Sequence, residues 1–178
     1  FSLSDEYPIT LRSGELVSAA LEAAEAEQPD GLLFNCSFPE AIAEGITFLN
    51  GKTHLPYGGY ANAFSSVAPL KPGGTVDVLR PRTDLTPSKF AQQGKRWVAE
   101  GASIVGGCCE AGPGYIAQLR DTLQAEGYRL SGFQPVASAA KPLYKLTAQR
   151  ETRRYEQPAL GRSLLQVRSK FTIIVRTK

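Results

Sequence analysis

Three cysteines occur in this chain of 178 residues, one in Asn35-Cys36 and two in Gly106-Gly107-Cys108-Cys109. Each group follows an apolar, strand-like stretch, so three thiols are delivered to the ends of two strands. Three thiolates make a soft ligand set that suits tetrahedral zinc with its fourth position open. A substrate thiol entering that position would lose its proton, although a free thiol has a pKa of about 8.5. With three cysteinates already on the metal, a sulfur bound there would stay electron-rich. The same residues admit two plainer readings: cysteines buried as small apolar side chains, and a vicinal Cys108–Cys109 pair open to oxidation.

The elements that must position these residues can be read from the pattern. Leu16, Val17, Ala20, Leu21 and Ala24 recur at helical spacing, and Pro29-Asp30 ends that helix. Gly31-Leu32-Leu33-Phe34 reads as a buried strand leading to Asn35-Cys36. Ser37-Phe38-Pro39-Glu40 has the form of a capping box, with Ser37 as N-cap of a helix that buries Ile42, Ile46 and Leu49. Residues 54–60 read as a further strand, ending near Asn62. Residues 65–83 are rich in Ser, Pro and Gly and read as a long loop. Thr86-Pro87 opens another helix, with Phe90, Trp97 and Val98 inward. Ala102-Ser103-Ile104-Val105 is the strand that delivers Cys108 and Cys109. Gly112-Pro113 then starts a helix carrying Ile116, Leu119 and Leu123, stopped at Gly127. This alternation implies a parallel sheet with helical crossovers, in which chemistry gathers at the carboxyl ends of the strands. Cys36, Asn62, Cys108 and Cys109 all fall at such ends.

The bulk composition is that of an ordinary globular domain, 42% hydrophobic and 21% charged. No apolar run approaches the roughly 20 residues that span a bilayer. Phe1-Ser2-Leu3-Ser4 lacks the features of a signal peptide, and an odd cysteine count favours free thiols or metal over a disulfide framework. A reducing, cytoplasmic setting is the expectation. The net charge of +3 conceals an asymmetry: residues 1–140 carry 10 Lys+Arg against 15 Asp+Glu, and residues 141–178 carry 10 against 2. The expected organisation is therefore a main unit over residues 1–130 and a basic extension over 131–178, with Phe171-Thr172-Ile173-Ile174-Val175 as its one strand candidate. His54, the only histidine, precedes a strand at the end away from the cysteines and is not expected to be a ligand.

Leu33-Phe34-Asn35-Cys36-Ser37-Phe38-Pro39, Gly59-Tyr60-Ala61-Asn62-Ala63 and Gly101-Ala102-Ser103-Ile104-Val105-Gly106-Gly107-Cys108-Cys109 together resemble the zinc-dependent homocysteine S-methyltransferase family. Asp84-Leu85-Thr86-Pro87 and Trp97-Val98 fit the same pattern, and the similarity covers roughly residues 1–130. The resemblance implies a (β/α)8 barrel of the TIM type. It implies Zn2+ held by Cys36, Cys108 and Cys109, and Asn62 beside the site as a substrate-binding or supporting residue. It implies transfer of a methyl group to homocysteine to give methionine. Relatives use S-methylmethionine, S-adenosylmethionine, betaine or a cobalamin or folate carrier as donor.

A full barrel of this type is typically about 250 residues. Aligned on the family, this chain starts near the end of strand 5, so the expectation is the C-terminal half, about strands 5–8. The absence of any Met fits a truncated or processed chain. The alternative to an enzyme is a non-catalytic zinc-binding or interaction fragment that associates with a missing N-terminal half, or with a second copy. A nucleic-acid partner for the basic tail is not expected, because the tail has few aromatic residues and no known module.

Overall fold

The computed structural model describes residues 1–6, 9–70, 73–132 and 172–176. The shift in charge at residue 141 lies outside them. Helix α1 (Val17–Ala26) precedes strand β1 (Leu32–Ser37), followed by α2 (Pro39–Leu49), β2 (Tyr57–Ala61), α3 (Pro87–Ala99), β3 (Ile104–Gly107), α4 (Pro113–Ala125), β4 (Arg129–Gly132) and β5 (Thr172–Arg176). A single 3-10 turn, Val76–Val78, interrupts the 65–83 loop.

The strands form one five-stranded sheet in the order β1-β2-β3-β5-β4. β1, β2 and β3 are parallel neighbours, as the βα alternation requires. Phe1 extends this parallel array beyond β1: its amino group donates to the Leu33 carbonyl, and the Asn35 amide donates back to the Phe1 carbonyl. The other side departs from the all-parallel expectation. β5 lies antiparallel between β3 and β4, so part of the basic extension is an integral strand of the sheet. Ile173 and Val175 alternate inward along it, which is why a strand from the tail fits here. The sheet formed by the described residues is open and ends at β4.

Helix packing follows the apolar stripes. Ile42, Ile46 and Leu49 of α2 are buried together with Phe34 of β1. Phe90 and Trp97 of α3 are fully buried and meet edge to face, with Tyr115 of α4 against the other side of Phe90. Thr86 caps α3 through a bond from the Lys89 amide, with Pro87 at the first turn, as the sequence implies. Leu119 and Leu123 of α4 are buried, Ile116 is half-buried, and Gly127 turns the chain at φ +82°. In α1, Val17 and Ala20 are buried while Leu16 lies 60% exposed, outside the expected stripe. No helix among the described residues is long and apolar enough to cross a membrane.

The capping box at Ser37 is not formed. Ser37 is the last residue of β1, and Phe38 stands at the N-cap of α2 without a side-chain bond of its own. The Ser37 hydroxyl is drawn into the sheet instead, accepting from the Leu3 amide and donating to the Asn35 carbonyl. The backbone donor at the start of α2 is met by Asp5, whose Oδ1 lies 2.8 Å from the Phe38 amide. A carboxylate from another loop thus meets the Phe38 amide, while the Ser37 hydroxyl is engaged within the sheet.

Candidate metal centre

Cys36 sits where β1 breaks register. Asn35 pairs with Tyr60 and Ser37 with Ala61, so Cys36 is the extra residue of a bulge. Its φ of +54° is left-handed, a conformation uncommon for a residue with a side chain. The bulge leaves the Cys36 carbonyl outside the strand ladder, and two side chains satisfy it: Asn62 Nδ2 at 2.8 Å and Arg12 Nη2 at 2.9 Å.

Cys108 and Cys109 follow the last residue of β3. The Cys108 amide donates to the Ala61 carbonyl and the Ala63 amide to the Cys109 carbonyl, which ties this turn to the end of β2. Asn62 lies between these bonds, fully buried, with its own Oδ1 accepting from the Phe64 amide. The sequence-predicted residues therefore converge: Cys36, Asn62, Cys108 and Cys109 occupy neighbouring strand ends. His54 precedes β2 and borders a separate surface hollow with Glu25, Gln28 and Leu55.

Three sulfurs face one another. Cys36 Sγ is 4.0 Å from Cys109 Sγ, Cys108 Sγ is 3.7 Å from Cys109 Sγ, and all three ligand atoms lie within 4.8 Å of one another. Zinc–sulfur bonds of about 2.3 Å at tetrahedral angles set sulfurs about 3.8 Å apart. All three thiols are free and half-buried, so the donor set has both the chemistry and the spacing to hold a metal ion. The thiols also share protons unequally. Cys109 is held well below the usual thiol range because Cys108 and Cys36 donate to its sulfur. Cys36 is pushed far up by its contacts with Cys108 and Cys109 and by burial, and Cys108 is pushed up chiefly by Cys109. Helices α2 and α4 start at Pro39 and Pro113, a short turn after Cys36 and Cys109, so the positive ends of their backbone dipoles lie toward the cysteine end of the sheet.

Two residues that the sequence did not single out belong to this neighbourhood. Arg12 reaches the Cys36 carbonyl from the loop that follows residues 1–4, and Asp5 lies 3.5 Å from it. Both border an open cleft of about 580 Å3, together with Glu6, Ser13, Phe38 and Ser66. Nothing in the local pattern marks them, since the contact is made only once the chain has folded. On the far side, Arg82 clamps the 65–83 loop to α2 through Glu40 at 2.8 Å, and also pairs with Asp84 at 2.7 Å. These partners hold its guanidinium firmly protonated.

The family model described as Homocysteine S-methyltransferase matches residues 1–123. No curated protein matches the chain, and no solved structure matches it. The matched span includes every residue of the cysteine cluster and more than half of the sequence, and the chain belongs to the homocysteine S-methyltransferase family.

Proposed function

We propose that this chain binds zinc through Cys36, Cys108 and Cys109 and transfers a methyl group to the thiol of homocysteine, giving methionine. The observation that carries this reading is the spacing of the three sulfurs, 3.7 and 4.0 Å along the contacts to Cys109, at the ends of two parallel strands. Family membership supplies the class of reaction. The wider expectation, a C-terminal half of a TIM-type barrel, is supported by the parallel β1-β2-β3 array with the cysteines at its carboxyl ends.

When bound, zinc supplies an open fourth tetrahedral position at which a thiol is deprotonated near neutral pH. The protein's own residues do the rest. Cys36, Cys108 and Cys109 would hold the metal as thiolates, and Cys109 is the most acidic of the three because the other two thiols donate to its sulfur. Asn62 holds the bulge at Cys36 and the turn at Phe64 in one piece, which keeps the cysteines in register. The cleft beside Arg12 is lined by Asp5, Glu6, Thr10, Ser13 and Ser66, a polar wall next to the cysteine end of β1.

A second reading is favoured by the open sheet. A zinc-holding module that needs a further barrel segment for turnover would bind the metal equally well, because all three sulfurs come from β1 and the β3–α4 turn. Zinc content near one per chain, lost in Cys36→Ser, is expected on both readings. Methionine formation from homocysteine with S-methylmethionine, S-adenosylmethionine or betaine separates them. Turnover by the chain establishes the enzyme; zinc binding without turnover from any donor favours the module. A chain that takes up no zinc overturns both.

A further inference from the structure

The Cys36 carbonyl has two side-chain donors, and only one of them, Asn62, belongs to the strand ends that build the cysteine cluster. The other comes from a different part of the chain. Arg12 lies on the loop between residue 4 and α1. Its backbone is fixed by a bond from its amide to the Ser2 carbonyl and by the antiparallel bridge between Leu3 and Leu11. Its guanidinium then spans from Asp5 Oδ2 at 3.5 Å to the Cys36 carbonyl at 2.9 Å. The Asp5 side chain is 10% exposed, and its Oδ2 accepts no hydrogen bond. A buried carboxylate oxygen without such a bond is compensated by charge, and the Arg12 guanidinium is the cation beside it.

The geometry points to Arg12, anchored by Asp5, as a positioning residue for Cys36: it fixes the bulged backbone in the conformation that aims the Cys36 sulfur at the other two. This inference rests on the metal-centre reading above. Cys36 lies at φ +54° at the register break of β1; the pairing of Ser37 with Ala61 holds the amide edge of the Cys36–Ser37 peptide, and side chains hold its carbonyl edge. Two donors converging on one carbonyl fix that plane from both sides, Asn62 from β2 and Arg12 from the opposite loop. Without Arg12 the carbonyl edge keeps Asn62 as its one side-chain donor, so the plane can tilt and the sulfur moves with it. The guanidinium also places a positive charge beside a ligand set that becomes strongly anionic when all three thiols ionise. The same arginine borders the open cleft, so its orientation couples the cleft wall to the first ligand.

The test compares zinc affinity, by competition with a chromogenic chelator, in the parent chain, Arg12→Met and Arg12→Lys. Cobalt(II) absorption and unfolding of the metal-free protein are measured alongside. Loss of an outer contact to a ligand typically weakens metal binding about 10–100-fold, which is the effect expected for Arg12→Met. The cobalt ligand-field bands are expected to shift, and Arg12→Lys is expected to recover part of the affinity. An Arg12→Met protein that binds zinc as tightly as the parent, with the same cobalt spectrum, overturns the proposal even if its unfolding midpoint falls. If Arg12→Met does not fold, Asp5→Asn takes its place. It keeps the side-chain size but removes the anchor, and unchanged affinity in that variant overturns the proposal equally. A parent chain that takes up no zinc overturns the metal-centre reading itself. A parent that binds zinc with Arg12→Met as its equal overturns the positioning role alone.

Discussion

Asn62 Nδ2 donates to the Cys36 carbonyl across 2.8 Å, so the residue that ends β2 holds the bulged residue of β1. The same amide accepts from the Phe64 backbone through its Oδ1. One fully buried side chain thus satisfies two backbone groups on separate segments, and both segments frame the cysteines.

Asn62→Ala is expected to destabilise the fold by about 2–4 kcal/mol: two hydrogen bonds go, and the Phe64 amide is left buried without a partner. Asn62→Asp keeps the acceptor for Phe64 but sets an anionic oxygen against the Cys36 carbonyl, so it is expected to be no better than Asn62→Ala. Urea unfolding measures the first effect and zinc competition the second. An Asn62→Ala variant with parental stability and zinc affinity would sink the supporting role.

Gly58 is the position where β2 and β3 leave no room. A Cβ there would lie 1.6 Å from the Ile104 carbonyl oxygen, a contact that only movement of the backbone relieves. The pairing at risk brings Asn62 beside Cys108. Gly58→Ala is therefore expected to cost about 3 kcal/mol or more, or to prevent folding. Gly114, in the first turn of α4, has nothing within 4 Å of an added Cβ. Gly114→Ala is expected to be neutral or stabilising by up to about 1 kcal/mol. Chemical denaturation of the pair checks the contrast, and equal stabilities would refute the tight-sheet account.

The strand-end placement of the cysteines and the parallel β1, β2 and β3 were legible because each rests on a local signal, an apolar run or a helix start such as Thr86-Pro87, whereas Asn62 was singled out through the family resemblance. What was not legible depends on contacts between distant segments. Ser37 has the sequence of a cap, but its hydroxyl bonds Leu3 and Asn35 instead, while Asp5 meets the Phe38 amide from another loop. Arg12 meets Cys36 only because Phe1 and Leu3 bond to β1 and the Leu3–Leu11 bridge brings Arg12 beside it. The strand within Phe171-Thr172-Ile173-Ile174-Val175 was readable from its β-branched run, but its antiparallel place between β3 and β4 was not, since no local pattern specifies a strand's partner.

Metal uptake should depend steeply on pH, and the sign follows from the unequal thiols. Cys36 and Cys108 have raised pKa values, so each keeps its proton through neutral pH, whereas Cys109 is lowered and already ionised there. A zinc ion must therefore displace two protons. Affinity is expected to rise with pH and to fall about a hundredfold for each unit of acidification around neutrality. Calorimetric titrations in buffers of different ionisation enthalpy count the protons directly, with two per zinc as the expected value. Three would mean that Cys109 is an ordinary protonated thiol, and none would mean that the metal binds elsewhere.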